Sequence, residues 1–523
     1  MKLFCNATIL PHPFLPPTEA VLVDDHGRVA FVGKLNEINI PTHAEQVDLG
    51  GQTLIPAFND AHIHIWKLGL LLTVQVDVRE HGAVGFSSLV RILQVHAERS
   101  PEGWILGRGY DEATLAEGVH PTREVLDAVS PDRPLALTRI CGHIMALNTR
   151  ALQLANITAN TPDPNGGIID RDEHGNPSGI IRENAMALVN RVIPPITDAQ
   201  LANAILATHQ HQLRLGIVSA TDPLVTPDHL RVYRQLEAEK RLLVRTNCLA
   251  VRRLDGGTET LPLPEKFVSE MLRVDSVKFF ADGGLSGATA AIYGEYLDVG
   301  GQGILRYETA DMLELMWEAH HNGYRIGTHA IGDRALDQVL TCYESLYARH
   351  PHAPRHRVEH FGLPLPEHIA MCQRMNVIAV MQTIFLPALG RNYRRYLNQS
   401  YLDRAYPART LWDANITVAL SSDAPVVPND DPIAGMIAAV NRHDHNGQPI
   451  GENETLTVAE ALWGYTLGGA IASGDEADFG SIEVGKWADF AVLNRNPLLI
   501  PTHELASVHV LQTYRAGECV YTR

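Results

Sequence analysis

The spacing of apolar and polar residues predicts alternating helices and strands over residues 200–475. Runs with helical period, such as 198–215, are each followed by a short β-branched run typical of a buried strand. These predicted strands are 217–221, 242–250, 274–280, 325–329, 356–360, 377–381 and 418–420. With an apolar run at Leu54 counted as the first strand, the repeat occurs eight times. The pattern therefore predicts an α/β protein with a (β/α)8 TIM barrel over residues 54–474.

The two ends of the chain carry short strand patterns instead. Residues 20–23 and 29–32 flank a polar turn, and 489–493 precedes a last hairpin that turns at Gly517. A few short strands cannot bury an apolar face alone. We therefore expect residues 1–53 and 475–523 to pair into one small β-sandwich domain.

A long segment separates the first predicted barrel strand from the second. It is longer than a βα connection needs, and residues 166–170 and 178–183 flank a polar turn as the strands of a hairpin do. The sequence thus predicts an inserted α+β subdomain over about residues 70–195.

Composition narrows the range of partners and compartments. The 523 residues are 45% hydrophobic with a net charge of −17, and no stripe of Lys and Arg suits a nucleic acid. The N-terminus has no signal-peptide pattern and no long apolar run occurs, so we expect a cytoplasmic protein without a membrane partner. Six scattered cysteines without a C-x-x-C pair favour reduced thiols. We expect a small-molecule substrate, and a homo-oligomer is compatible with the sequence.

Candidate metal ligands follow several of the predicted strands. His62 and His64 are spaced so that both side chains leave an extended chain on the same side, where two imidazoles can hold one metal. With 25 histidines in the chain, that pair alone is weak evidence. Other predicted strands end at further candidates: Lys278, His329, His360 and Asp423. Strand ends meet at one face of a barrel, so together these residues predict a metal site, although Lys278 alone could simply pair with Asp282.

These motifs resemble the amidohydrolase superfamily, in its metal-dependent amidohydrolase family 3 branch. The resemblance rests on segments spread over nearly the whole chain: 55–64, 142–143, Lys278 with 282–283, 329–333, 357–360, 422–423 and 480–489. Ala57 departs from the glycine that many relatives have, at a position that is not a ligand. The resemblance implies a barrel with a small β domain built from both termini.

The same resemblance implies a zinc site with a modified lysine. One Zn²⁺ would be held by His62, His64 and Asp423, and a second by His329 and His360. A carbamylated Lys278 and a hydroxide would bridge them, since nearby cations lower the lysine pKa and let the neutral amine add carbon dioxide. A site with a single metal is the alternative.

The implied activity is hydrolysis of a non-peptide C–N bond, in an amide or an N-formyl or N-acyl amine, by a zinc-activated hydroxide. Asp423 would take the proton and return it to the leaving nitrogen. The candidates for substrate binding are Tyr110, Asp111, His143 and Asp282, for which a structural role is an equal alternative.

Two other functions remain open. A metal-dependent deaminase of an aminated heterocycle would need a glutamate acid, and Glu359 is expected to face away from the site as the strand neighbour of His360. A catalytically inactive barrel used for binding should have lost ligands, and each candidate ligand is present.

Overall fold

The computed structural model describes residues 1–79, 82–99, 102–140, 142, 144–164, 166–254, 257–352 and 354–523. These residues form two compact units. One contains Met1–Ile65 and His209–Arg523, and the other contains Trp66–Thr208. In the part of the chain described, no helix combines the length and the apolarity needed to cross a membrane.

The first unit contains the predicted TIM barrel. Its eight parallel strands each pair with the next in sequence: β1 Phe58–Asp60, β2 Ile217–Val225, β3 Arg245–Val251, β4 Leu272–Phe280, β5 Arg325–Ala330, β6 Arg357–His360, β7 Ile378–Met381 and β8 Val418–Leu420. A short strand, Phe267–Val268, pairs antiparallel with β4. The predicted fold class is confirmed.

Backbone hydrogen bonds beyond the strand ends bring β8 against β1. The Asp423 N–H donates to the His62 carbonyl at 2.7 Å, and the His64 N–H donates to the Ala424 carbonyl at 2.9 Å. These hydrogen bonds connect His62 and His64, the candidate ligands that follow β1, to the segment that carries Asp423.

The first strand of the barrel begins later than the sequence indicated. The apolar run Thr53–Pro56 pairs with Phe490–Leu493 in the terminal β domain, and the barrel strand starts at Phe58. The Ala57 N–H still bonds to Asp489, whereas the Phe58 N–H bonds to Gly216. One nearly continuous extended stretch serves two sheets, so its apolar pattern could not show where one sheet ends and the other begins.

Helices connect the barrel strands, and side-chain caps fix where several of them begin. Thr226 accepts a hydrogen bond from the His229 N–H and precedes a proline at the first helical position, and Asp431 caps the helix that begins at Pro432. The helices of this unit are Pro227–Ala238, Thr309–His321, Asp333–Arg349, Pro366–Met375, Phe385–Tyr396, Gln399–Asp403, Ala408–Asp413, Pro432–Asn441, Val458–Trp463 and Gly469–Ser473. Helix Asp198–Arg214 spans the division between the units.

Both chain termini build the predicted β sandwich. One sheet contains Lys2–Cys5, Ala20–Val23, Val29–Gly33 and Glu45–Asp48, and the other contains Thr8–Ile9, Thr53–Pro56, Phe490–Leu493, Val510–Arg515 and Glu518–Thr522. The Phe4 ring packs edge-on against Phe490 and Tyr514, at 5.3 and 4.9 Å between centroids. The core between the sheets therefore needs both ends of the chain.

The second unit is a six-stranded mixed sheet with helices. In sheet order its strands are Gly167–Arg171, Pro177–Glu183, Ile144–Leu147, Leu135–Arg139, Ile105–Tyr110 and Gln75–Asp77. Its helices are Phe86–Arg99, Arg123–Asp127, Thr149–Leu154 and Ala187–Asn190, and helix Ile65–Thr73 enters it from the first unit. The predicted hairpin is present, because Gly167–Arg171 pairs antiparallel with Pro177–Glu183.

Candidate metal centre

Three candidate ligands converge where β1 and β8 end. The Nε2 atoms of His62 and His64 lie 3.5 and 3.1 Å from Oδ1 of Asp423, and all three residues are buried. One donor atom from each lies within 4.8 Å of the others. Two imidazole nitrogens and one carboxylate oxygen at this spacing can hold a divalent metal ion.

Asp60 fixes the two segments that carry these ligands. Its carboxylate accepts hydrogen bonds from the His62 N–H, the Ser422 N–H and the Ser422 hydroxyl, the last at 2.6 Å. Burial raises the pKa of Asp60 to about 7, although these hydrogen bonds oppose the rise. The ends of β1 and β8 are thereby held together by one buried side chain.

The expectation that Glu359 faces away from the site is wrong. His62 Nδ1 donates to Oε2 of Glu359 at 2.6 Å, and Arg357 binds both carboxylate oxygens at 2.6 and 2.8 Å. Burial alone would raise the pKa of Glu359, but the Arg357 charge and the His62 hydrogen bond outweigh it and lower that pKa. This hydrogen bond leaves Nε2 of His62 as the nitrogen directed to Asp423.

The backbone at His360 explains why neighbours on β6 both reach His62. His360 has a positive φ of 73°, so the alternation of side chains stops at the last residue of the strand. Its ring centroid lies 4.9 Å from that of His62 and 4.5 Å from that of His329. His360 Nδ1 donates to the Gln382 side chain at 2.6 Å, which leaves Nε2 as the donor atom for a metal.

His329 is oriented by the loop after β4. Its Nε2 atom lies 3.1 Å from the Gly283 carbonyl and 3.3 Å from Oδ1 of Asp282. Asp282 also accepts backbone hydrogen bonds from Ala291, Ile331 and Gly332. Asp282, which was predicted to bind substrate, thus contacts the candidate ligand His329 and the loop that follows His329.

Lys278 occupies the interior of β4, only 1% exposed. Its Nζ lies 5.1 Å from the centre of the Phe280 ring. Burial, followed by the positive charge of Lys278, lowers the pKa of His62 to about 4. Burial and the neighbouring histidines lower the pKa of His360 well below its ordinary value, with Lys278 adding to the effect. Both imidazoles are therefore neutral near pH 7, the form that binds metals.

An aromatic wall adjoins His360. The Phe385 ring stacks on His360 at 6.2 Å, Tyr406 packs edge-on against Phe385, and the Tyr406 and Tyr393 hydroxyls lie 3.2 Å apart. Both tyrosines are fully buried, and burial together with nearby acidic groups, Asp423 among them, raises their pKa values. Phe385 therefore gives the site an aromatic side at His360, and the two tyrosines support it from behind.

The other substrate-binding candidates lie in the second unit. Tyr110 is buried, with its hydroxyl 3.2 Å from Nδ1 of His120, and Asp111 accepts a hydrogen bond from Arg139 at 3.0 Å. His143 lies outside the described residues. A role in substrate binding stays a prediction for all three.

Sequence reasoning missed the residues that orient the histidines. Arg357 and Glu359 flank Val358 in a short buried strand, and Gln382 directly follows β7. A charged pair inside a predicted barrel strand is a signal for a buried network, because isolated charges are seldom buried. Nothing in the sequence indicated which histidine each group would contact.

The comparisons with known proteins agree with this architecture. A model of the amidohydrolase family matches residues 45–521. The chain is 30% identical to the N-substituted formamide deformylase of Arthrobacter pascens over 531 residues, which covers 97% of this chain and 95% of the deformylase. It is 28% identical to protein LONG AFTER FAR-RED 3 of Arabidopsis thaliana, with 99% of this chain and 91% of that protein covered.

A solved structure shares this fold. An uncharacterized metal-dependent hydrolase from Pyrococcus horikoshii OT3 superposes with a TM-score of 0.80 at 28% sequence identity. The match covers 96% of this chain and 99% of the other.

Proposed function

The chain belongs to the amidohydrolase family, and from this premise we propose that it is a metal-dependent hydrolase of a non-peptide C–N bond. The substrate class is an amide or an N-formyl or N-acyl amine, in line with the printed name of the Arthrobacter relative. The observation that carries the proposal is the convergence of His62, His64 and Asp423 within 4.8 Å. The proposed setting is the cytoplasm.

The donor set fits zinc. The imidazoles of His62 and His64 with the Asp423 carboxylate would hold one ion, and His329 and His360 with a carbamylated Lys278 would hold a second. When bound, zinc polarises a carbonyl oxygen and makes a water molecule acidic near neutral pH.

The protein's own residues would position and move the protons. The Asp423 carboxylate, 3.1 Å from His64 Nε2, would accept the proton of the attacking water and pass it to the leaving nitrogen. Glu359 and Gln382 hold His62 and His360 in one tautomer through their Nδ1 atoms, so Nε2 of each ring remains a lone-pair donor.

The contacts of Glu359 argue against the deaminase alternative. A deaminase glutamate has to carry and deliver a proton, whereas both Glu359 oxygens accept hydrogen bonds from Arg357 and one also accepts from His62. The inactive alternative is disfavoured because the candidate ligands are all retained.

Metal removal with product analysis tests the proposal. The purified protein is stripped with a chelator, reloaded with zinc, and offered N-formyl amines, N-acyl amines, cyclic amides and aminated heterocycles. We expect release of an amine from an N-formyl or N-acyl substrate only in the reloaded protein, and none from the His360→Asn variant. Unchanged hydrolysis by fully stripped protein would disprove the metal-dependent mechanism, and ammonia release from heterocycles alone would favour the deaminase.

A further inference from the structure

A cavity of about 580 Å³ lies within the second unit, apart from the candidate ligands. Its walls are the end of helix Ile65–Thr73, the strand Gln75–Asp77 and one face of helix Phe86–Arg99. The volume is in the range of small-molecule sites.

The helix Phe86–Arg99 has two distinct faces. Leu89 and Leu93 are fully buried in the core of the unit. Arg91, Val95 and Arg99 follow one another at intervals of four residues and line the cavity. This side of the cavity is therefore formed by Val95 with an arginine on either side of it along the helix.

Apolar side chains make up much of the cavity wall. Leu72 and Val95 are each 43% exposed, although both are large apolar residues that line the same cavity, and Ile92 lies beside Val95. Grouped exposure of this kind marks binding surfaces more often than single exposed residues do.

The charges of the cavity favour an anion. Asp77 lines the cavity, but Arg79 already binds its carboxylate through Nε at 2.9 Å. Within the described ranges, neither Arg91 nor Arg99 forms an ion pair. The positive charges of Arg91 and Arg99 in the cavity wall can therefore pair with an anionic ligand.

A small molecule fits better than a peptide. Among the described strands, Gln75–Asp77 lies at the edge of its sheet and pairs with Ile105–Tyr110, but its three residues offer too short an edge for stable strand addition. A half-open cavity with an apolar wall and two arginines along one side instead suits a compact ligand with an apolar body and one acidic group.

We propose that this cavity binds a small organic carboxylate with an apolar body, its carboxylate held by Arg91 and Arg99 and its apolar part against Leu72, Ile92 and Val95. The site is separate from the proposed hydrolytic centre and does not depend on that function. Charge-assisted hydrogen bonds from guanidinium to carboxylate supply specificity, and burial of the apolar body supplies affinity.

Calorimetric titration with octanoate and with octylammonium tests the proposal on the full chain. Metal-stripped protein is used, because a carboxylate could also bind a zinc ion. We expect octanoate to bind and octylammonium to bind at least about tenfold more weakly, since only the carboxylate matches the cations. Equal affinity for the two ligands would overturn the proposal.

Matched variants locate the binding. Arg91→Gln with Arg99→Gln should weaken octanoate binding about tenfold or more, and Val95→Trp should block it by filling the cavity without changing charge. Arg150→Gln and Val119→Trp, at exposed positions of the same unit that do not line this cavity, should bind as wild type. Octanoate binding that survives both cavity variants would place the ligand elsewhere and refute the assignment.

Discussion

The Oε2 atom of Glu359 on β6 lies 2.6 Å from the Nδ1 atom of His62, which follows β1. The two residues are far apart in sequence and meet only because the barrel brings β1 and β6 to one interior. Arg357 neutralises the carboxylate from the same strand. Glu359 is therefore a positioning residue that fixes which nitrogen of His62 is presented to a metal.

We expect Glu359→Gln to weaken metal binding. The amide can no longer accept a hydrogen bond as a charged group, so the His62 ring loses part of its fixed orientation and basicity. Loss of such a partner typically costs about 10- to 100-fold in metal affinity. Chelator competition measures the zinc Kd. Glu344→Gln removes a carboxylate from an exposed ion pair and serves as control. Zinc affinity equal to wild type in a folded Glu359→Gln protein would show that the hydrogen bond does not orient a ligand.

Lys278→Ala should lose at least one metal ion and most of the activity. The reason is that alanine cannot form the bridging carbamate. Short carboxylates such as formate or acetate should partly restore turnover by occupying the bridge, and elemental analysis gives the metal content per chain. Intact wild-type protein should show the mass of one added carbon dioxide under conditions that preserve a carbamate. Two tightly held metals with normal turnover in Lys278→Ala would rule out the carbamate.

Asp423→Asn should keep much of the metal but turn over slowly. Asparagine retains one oxygen donor and the size of the side chain, yet it cannot accept the proton from water. General acid–base catalysis is typically worth about 10²- to 10⁴-fold, so we expect kcat to fall by that order. His360→Asn is the comparison that should lose metal and activity together. Turnover within a few-fold of wild type would move the proton transfer to another group.

A buried histidine pair outside the site should make the fold sensitive to acid. His356 Nδ1 accepts from the Ile326 N–H, so its Nε2–H donates to His320 Nδ1 at 2.8 Å, and His320 Nε2–H donates to the His350 carbonyl. Each nitrogen of the pair is thus used in the neutral form. Burial lowers the pKa of both residues, that of His356 well below its ordinary value.

The direction of the pH effect follows from these lowered pKa values. Below about pH 6.5 the unfolded chain binds protons at these histidines, whereas the folded chain does not. The free energy of unfolding is therefore highest above that pH and falls as the solution is acidified. Each such histidine lowers the free energy of unfolding by up to about 1.4 kcal/mol for each pH unit of acidification. The decline in Tm between pH 7 and 5 should be shallower in His356→Asn than in wild type, whereas the exposed His174→Asn should leave it unchanged. Parallel Tm profiles for wild type and His356→Asn would contradict the assignment.

The sequence was sufficient for the main architecture. Helical and strand periods over residues 200–475 indicated the barrel, and the short strands at both ends indicated the sandwich, because both patterns arise from which faces of an element are buried. Placing the first barrel strand at Leu54 failed, since burial is similar on both sides of Ala57 and only the hydrogen-bond partners change there.

For the site, sequence alone gave the candidate ligands and tertiary structure decided their relations. His62 and His64 are two residues apart on an extended chain, so the sequence alone predicts that their side chains lie on the same side. The contact of Glu359 with His62 required the closure of the barrel and the positive φ at His360, and neither is encoded in a short window of residues. Local periodicity determines which face of a strand is buried, but the side chains that meet across a barrel are set by strand register and ring closure, which depend on residues hundreds of positions apart.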